Sequence, residues 1–418
     1  MKLTHSIEIF LKYFRKMSTF RFLLIISHVL PAIFLNVYNV KADWPFYRAD
    51  SLASGTVKAA TTELPEQLLP EQLKVLWEFT LEKGWFEATP IIAGGKVFIG
   101  SSQDRFLAID LQTGKELWKF ENKSGFMAPA VYVPKNERRP AGVCVGDPDG
   151  VLYFFDAATG EKRWTFQAET IIDNSPNLWN DKLLFGSQDG HLYCVNADTG
   201  ELVWKYQTQD QIRCFPTVVN DRAFVAGCDG NLHIVDLEKG ECLKRIDLGA
   251  PTGSTPAVSG NSVYFGTEGN EFLAIDWKEE TIRWRFPLKQ GVRGPAAVSE
   301  KHVLFGAQDR NIYALNPTNG EQIWAFKVKG RIEGGPIIIG SKVYFGATDA
   351  NLYVLHLDDG KLLQTLELSD QVIGSPAAAQ GKLVVGTGDG KLVCFGSDTV
   401  SATNGKSAIP YHGAIALQ

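Results

Sequence analysis

The sequence predicts an all-β fold: an eight-bladed β-propeller of four-stranded repeats, closed by an N-terminal strand that completes the last blade. Three observations predict it. A motif of Gly-x-x-Asp, an apolar strand, Thr-Gly-Glu and Trp recurs about every forty residues. The last copy stops one strand short, and a matching strand stands near the start of the chain. A proline begins each copy: Pro90, Pro129, Pro176, Pro216, Pro256, Pro295, Pro336 and Pro376.

Each repeat is predicted to contain four strands, a to d, separated by tight turns. Asp189-Gly190 favours a hairpin between strands b and c, because both residue types tolerate positive φ. Gly200 is expected to adopt the left-handed conformation between strands c and d. In the third copy strand a follows Pro176, and the other three strands are predicted at 182–186, 191–196 and 201–206.

The eighth repeat, which runs from Pro376 to Phe395, lacks strand d. Residues 73–79 read LKVLWEF and match the strand-d segment GELVWKY at 200–206. We therefore expect residues 73–79 to complete the last blade and to close the ring.

The domain organisation follows from composition. Residues 1–42 are predicted to be a signal peptide with a basic start, an apolar stretch at 22–35 and small residues at Val40 and Ala42. The alternatives are an uncleaved anchor and a start at Met17. Residues 43–72 form a lead that packs across the disc or acts as a linker, 73–396 form the propeller, and 397–418 form a loose tail.

The charge balance argues against nucleic acid as a partner. The full chain has a net charge of -5, and the predicted signal peptide carries six basic residues and one acidic residue. The mature chain is therefore more acidic, and an acidic surface repels phosphate backbones. We expect an exported monomer in the periplasm or cell envelope, with no transmembrane span after cleavage and with envelope proteins as partners.

A tryptophan recurs on strand d of six repeats. It is interpreted as packing between blades with its indole N–H on a neighbouring carbonyl, rather than as a row of platforms for ligands. Lys244 and Gln364 replace it in two copies, so weaker blade junctions are expected there. The six docking residues are Trp77, Trp118, Trp164, Trp204, Trp284 and Trp324.

The repeat at 182–206 resembles the pyrroloquinoline-quinone (PQQ) repeat family, whose strand-d tryptophans dock neighbouring blades, and the resemblance covers about three quarters of the chain. The compact eight-bladed layout is most similar to the outer-membrane β-barrel assembly factor B family. That resemblance implies a non-enzymatic scaffold for protein–protein contacts in the cell envelope, with a role in outer-membrane protein assembly. Members of that family are lipoproteins, whereas no Cys follows the predicted signal peptide here.

The alternative within the wider family is a quinoprotein alcohol or sugar dehydrogenase, for which the resemblance implies PQQ and calcium as cofactors. Such enzymes carry long insertions and an adjacent Cys-Cys pair. This sequence has no such pair, and its near-constant period leaves little material to cover a cofactor. Asp147-Pro148-Asp149-Gly150 is interpreted as a turn rather than a calcium loop. We therefore expect no cofactor, no metal and no catalytic residues.

The best candidate site is one mouth of the central channel, because the residues just before the anchor prolines differ between repeats. One interpretation is a polar pocket or docking surface that binds an acidic group, a small ligand or a glycan. The other is mutual neutralisation in solvated ion pairs. The candidate residues are Glu87, Asp173, Arg213, Arg293, Arg331 and Glu333.

Two local features stay open at this level. Cys214 and Cys228 flank a predicted hairpin, where a disulfide is one alternative and free thiols are the other. The spacing of 47 after Pro129 reflects a charged insertion at 133–140. This loop is expected either to contact a partner or to have no role.

Overall fold

The computed structural model describes residues 43–57 and 69–397. These residues form an eight-bladed β-propeller with eight sheets and, in the described chain, no helix. The predicted fold class is therefore confirmed. The predicted signal peptide, residues 58–68 of the lead and the tail from 398 onward lie outside the described residues.

Two short N-terminal strands precede the first complete blade. They are β1 (Thr56–Val57) and β2 (Lys74–Thr80). Blade 1 contains β3 (Ile91–Ala93), β4 (Lys96–Gly100), β5 (Arg105–Asp110) and β6 (Glu116–Glu121). Blade 2 contains β7 (Val131–Val133), β8 (Gly142–Gly146), β9 (Val151–Asp156) and β10 (Lys162–Gln167). Blade 3 contains β11 (Asn177–Trp179), β12 (Lys182–Gly186), β13 (His191–Asn196) and β14 (Leu202–Gln207).

The later blades repeat the same antiparallel order from strand a at the channel to strand d at the rim. Blade 4 contains β15 (Thr217–Val219), β16 (Arg222–Ala226), β17 (Asn231–Asp236) and β18 (Glu241–Asp247). Blade 5 contains β19 (Ala257–Ser259), β20 (Ser262–Gly266), β21 (Glu271–Asp276) and β22 (Thr281–Pro287). Blade 6 contains β23 (Ala297–Val298), β24 (Val303–Gly306), β25 (Asn311–Leu315) and β26 (Gln322–Lys327). Blade 7 contains β27 (Ile337–Ile339), β28 (Lys342–Ala347), β29 (Asn351–His356) and β30 (Leu362–Glu367). Blade 8 contains β31 (Ala377–Ala379), β32 (Lys382–Gly386) and β33 (Lys391–Gly396).

The strands differ in sequence because they differ in burial. Strands b and c lie between neighbouring blades on both faces, so they read as continuous apolar runs such as β12 and β13, which are almost wholly buried. Strand d forms the outer edge, and β14 alternates exposed and half-buried residues. The core therefore consists of the interfaces between blades.

The ring closes as predicted. The N-terminal strand β2 pairs antiparallel with β33, with Trp77 opposite Cys394 and Phe79 opposite Leu392. It supplies strand d of blade 8. The two ends of the propeller sequence thus meet in one sheet, and we call β2 the clasp.

The strand-d tryptophans dock each blade onto the next. The Trp77 indole N–H donates to the Leu111 carbonyl of blade 1 at 3.0 Å. Its ring also lies on Gly114, where a Cβ atom would come within 2.6 Å of the indole. Gly114 has φ 71°, so the turn conformation and the ring contact both require glycine. The other five predicted rings make the same two contacts: Trp118, Trp164, Trp204, Trp284 and Trp324.

The two junctions without tryptophan have contacts of other kinds. Lys244 forms an ion pair with Glu280 of blade 5, which stands where other blades have the turn glycine. Gln364 accepts a hydrogen bond from Leu73 N at 3.0 Å and donates one to Leu73 O at 2.9 Å. Blade 8 has no turn between strands c and d, because its strand d is the clasp. A tryptophan at 364 would therefore have no turn glycine to lie on.

The insertion in blade 2 folds back onto blade 3. Arg138 and Arg139 both form ion pairs with Asp198, at 2.6 Å in each case, and Arg138 also pairs with Asp181 at 3.0 Å. The Arg139 side chain is only 9% exposed. The charges that suggested a partner-binding loop are thus used inside the molecule, where they join two blades.

The described cysteines are all free thiols. Cys214 is buried, and its Sγ donates to the Ala226 carbonyl at 3.0 Å. The disulfide alternative for Cys214 and Cys228 is therefore not what the structure contains. Burial raises the pKa of the Cys214 thiol to about 12, so the thiol is protonated at neutral pH.

Candidate functional site at the channel mouth

Residues 43–57 of the lead occupy the channel at the level of the innermost strands, and we call this segment the plug. Its Trp44 exchanges backbone hydrogen bonds with Ile92, and β1 pairs in parallel with β27. Its carbonyls at Pro45, Ser51, Leu52, Ser54 and Gly55 accept backbone N–H groups from strands a of blades 2, 4, 5, 6 and 7. Side chains complete the set, because Asn177 of blade 3 donates to Ser51 and Gln380 of blade 8 donates to Asp43.

Arg48 anchors the plug inside the ring. Its side chain is fully buried and donates to the carbonyls of Ala296 at 3.1 Å, Gly335 at 3.2 Å and Pro336. These carbonyls come from the segments that lead into blades 6 and 7. Desolvation lowers the pKa of Arg48 to about 10, and the group still remains protonated at neutral pH. Gly55 leaves room for it, since a Cβ there would lie 2.1 Å from a guanidinium nitrogen.

Tyr47, the neighbour of Arg48, forms the floor of the mouth. Its ring meets Phe215 edge-on, with 6.2 Å between the ring centroids. Burial raises the pKa of its hydroxyl, which keeps that group neutral. Above Tyr47 lies a polar cavity of about 180 Å³ that opens at the mouth of the channel.

The structure brings together five of the six residues proposed for the mouth. The lining of the cavity includes Glu87, Asp173, Arg213, Arg293 and Glu333. Arg331 is not part of the lining. It is exposed and forms an ion pair with Glu333 at 3.1 Å. Among these six residues, the described structure places only Arg331 and Glu333 within ion-pair distance of each other.

Two carboxylates of the mouth, Glu87 and Asp173, accept hydrogen bonds from nearby side chains. Glu87 accepts from the Trp85 indole N–H at 2.9 Å. Asp173 accepts from Gln188 at 2.6 Å through Oδ2, whereas its Oδ1 is buried and has no hydrogen-bond partner in the described structure. Desolvation accordingly raises the pKa of Asp173.

The two arginines of the cavity have unused donors. Arg213 donates through Nε to Gln211 at 2.9 Å. Arg293 makes no hydrogen bond or ion pair within the described part of the chain. Both side chains are exposed. Of the mutual neutralisation considered from the sequence, the described residues contain one ion pair, Arg331 with Glu333, and an attraction between Arg213 and Asp173.

Hydroxyl groups link the blades around the cavity floor, and they were not among the residues predicted from the sequence. Thr89 Oγ1 accepts from Ser375 N at 2.9 Å, and Thr255 Oγ1 accepts from Phe215 N at 3.2 Å. Ser375 Oγ in turn accepts from Gly335 N at 2.8 Å. The sequence does contain a pattern that predicts these hydroxyl groups, since Ser or Thr directly precedes four of the anchor prolines. These bonds join strands a of adjacent blades and make the floor rigid.

Two features are absent from the described residues. No group of three or more His, Cys, Asp or Glu side chains is placed to hold a metal ion. The same residues contain no helix with the length and hydrophobicity needed to cross a bilayer. Asp147 lies in a turn and accepts the backbone N–H groups of Asp149 and Val151, as the turn interpretation predicts.

Known proteins similar to this chain include curated quinoprotein dehydrogenases and solved propeller structures. Over 128 residues the chain is 30% identical to quinohemoprotein alcohol dehydrogenase of Comamonas testosteroni, a stretch that is 28% of this chain and 18% of that relative. The chain spans less than a fifth of the length of the curated relatives that it matches. Two solved structures share the fold. BamB from Moraxella catarrhalis gives a TM-score of 0.66 at 14% identity and covers 78% of this chain and 100% of its own. A europium-containing methanol dehydrogenase gives 0.70 at 11% identity, covering 85% and 98%.

A family model described as "Outer membrane protein assembly factor BamB" matches residues 67–146, 148–243 and 228–399. These segments contain the clasp and every blade. They also contain all the docking tryptophans, whose contacts the structure shows. The match covers well over half of the sequence, and the chain therefore belongs to this BamB-like family of PQQ-repeat propellers.

Proposed function

We propose that this protein is an exported propeller scaffold that binds partner proteins in the cell envelope and serves outer-membrane protein assembly. The observation that carries the proposal is the plug, which fills the channel and leaves a cavity of about 180 Å³ at its mouth. Small-molecule sites usually enclose roughly 300–1,000 Å³. The mouth cavity is below that range, and the larger surface at this end of the channel is formed by the loops around the mouth.

The mouth face has the composition of a docking surface. Trp85 and Met127 are exposed large apolar side chains on the loops that enter blades 1 and 2. Arg213 and Arg293 stand exposed on the loops that enter blades 4 and 6. Aromatic, Met and Arg side chains are the residue types enriched at protein–protein interfaces. The family match and the full coverage of the Moraxella BamB chain support the same function.

The test is capture of partners by the purified protein from cell-envelope extracts, followed by the reverse capture with the identified partner. The double variant Trp85→Ala/Met127→Ala is expected to lose the partner. A rim variant, Leu202→Ala/Val203→Ala, removes apolar side chains on blade 3 that are more exposed than Trp85 and Met127, and it is expected to retain the partner. Failure of the protein to bind any envelope protein, or equal binding by the mouth variant, would contradict the proposal.

A quinoprotein oxidoreductase is the second candidate, favoured by the 30% identity to the Comamonas enzyme. The mouth cavity of about 180 Å³, with Tyr47 in its lining, offers little room for PQQ with calcium, the cofactor of such enzymes. Addition of PQQ and Ca²⁺ with a dye acceptor and alcohols or sugars decides between the two. Sustained turnover would replace the scaffold proposal, and we expect none.

A further inference from the structure

We infer that the channel mouth binds a carboxylate of a partner polypeptide between Arg213 and Arg293. The inference rests on the proposed function in one respect, namely that the occupant is a protein. It concerns one small site with its own test.

The guanidinium groups of Arg213 and Arg293 have free hydrogen-bond donors. Arg213 uses only its Nε, which points to Gln211, and its terminal nitrogens have no partner among the described residues. Arg293 has no partner at all there. A guanidinium offers five N–H donors in a fixed fork that matches a carboxylate. Two such groups on one cavity leave several donors for an anion.

The space between the two arginines is open. Blade 5 contributes Gly253 to the lining, between Arg213 of the preceding loop and Arg293 of the following loop. A Cβ atom at Gly253 would meet only the Arg213 Cβ, at 3.9 Å, so this sector is open. Two of the three carboxylates in the lining are engaged elsewhere, since Glu87 accepts from Trp85 and Glu333 pairs with Arg331.

Asp173 is the third carboxylate of the lining, and an incoming carboxylate competes with it for Arg213. Its charge attracts Arg213, but its Oδ2 is held by Gln188, and among the described residues the two side chains form no ion pair. The guanidinium donors of Arg213 therefore stay available to an anion.

The size of the cavity limits what it can bind. The cavity of about 180 Å³ holds one side chain or chain end, not a whole small-molecule ligand. A second cavity of about 370 Å³ lies beyond Arg293, between loops that include Glu268, Lys289 and Gln308. A chain with its carboxylate in the mouth can continue into that space.

The test uses the purified protein in ligand-observed NMR titrations with four probes. Two are capped pentapeptides that differ only by Glu or Gln at the centre, the third is an uncharged peptide with a free C-terminal carboxylate, and the fourth is glutarate, which has no N–H. The Glu peptide is expected to bind at least about tenfold more tightly than the Gln peptide. The relative affinity of the third probe tells whether a side chain or a chain end is preferred.

Variants assign the contacts. Arg213→Gln/Arg293→Gln is expected to weaken carboxylate probes about tenfold or more. Arg245→Gln, which removes an exposed arginine outside the cavity lining, is the control and is expected to leave them unchanged. Thermal melting confirms that each variant is folded. Equal binding of the Glu and Gln peptides, or equal loss in Arg245→Gln, would overturn the inference. If envelope partners still bind in that case, the scaffold proposal stands and only the carboxylate site is wrong.

Discussion

Lys244 and Glu280 form an ion pair across the junction of blades 4 and 5, at the two positions where six other junctions place a tryptophan on a turn glycine. At this one junction, Lys244 replaces the tryptophan of the repeat and Glu280 replaces the turn glycine. Glu280 keeps the backbone conformation of the glycine, with φ 61°. A tryptophan at 244 would meet the Glu280 side chain, because a Cβ at the other turn glycines comes within 2.6 Å of the indole ring. The two replacements are therefore physically coupled.

Restoring the repeat pair is expected to stabilise this junction only when both residues change. Lys244→Trp alone should destabilise the protein, because the ring meets Glu280. Glu280→Gly alone should have little effect, since it loses a half-exposed ion pair but relieves the positive φ. The double variant should gain about 1–3 kcal/mol from the buried ring. Denaturant unfolding of the four proteins measures the coupling, and additive effects would show that the two positions are independent.

Removal of the clasp is expected to destabilise the whole ring. Deletion through Phe79 takes strand d from blade 8, the Trp77 contact from blade 1 and the Leu73 contact from Gln364. The loss should exceed the 0.5–3 kcal/mol typical of a point change. Deletion through residue 57 is the control, because it removes the plug and keeps the clasp. Near-UV circular dichroism and thermal melting make the comparison, and identical melting of the two truncations would disprove closure by β2.

Arg48→Met is expected to lower stability by about 2–4 kcal/mol, because three buried carbonyls would lose charge-assisted donors. Arg48→Lys should recover only part of the loss, since an ammonium cannot reproduce the guanidinium fork. Arg245→Met is a control, because Arg245 is exposed at the rim. Urea unfolding reports the differences. A neutral Arg48→Met variant would mean that the plug is held without this side chain.

Asp173→Asn is expected to stabilise the protein at pH 7. Burial raises the pKa of Asp173, so its contribution to folding is complete below the pKa of the unfolded chain and is lost as the pH rises through the higher folded pKa. Asparagine stays neutral and still accepts from Gln188. The melting midpoint should rise by about 1–2 °C at pH 7. The gain should shrink near pH 3.5, and a lower midpoint at pH 7 would show that attraction to Arg213 outweighs burial.

The fold and the location of the mouth follow from the period of the sequence. Each copy repeats the same burial pattern, so the b and c strands at 182–186 and 191–196 agree with the structure. Strand d of that blade begins at Leu202 rather than 201. Glu87 and Arg293 stand at equivalent places in different blades, and a closed ring must bring such positions together.

The plug could not be derived in this way. Trp44, Tyr47 and Arg48 belong to no repeat, and their partners lie up to 288 residues away in the chain. Most of these contacts are between backbone atoms, which leave no trace in side-chain patterns. The engagement of Gln364 with Leu73 was hidden for a related reason. It depends on the missing turn of blade 8, which becomes visible only once the ring is closed.

The plug also constrains the order in which the protein acquires its final structure. The first described residues of the chain contact all eight blades, including blade 8, whose strands are made last during synthesis. The earliest segment must therefore wait for the latest one, and completion of the native state is post-translational. Such long sequence separations slow the search for native contacts. A ring that closes before the plug docks would expose an unfilled channel, which makes that interval the most vulnerable period for aggregation or proteolysis.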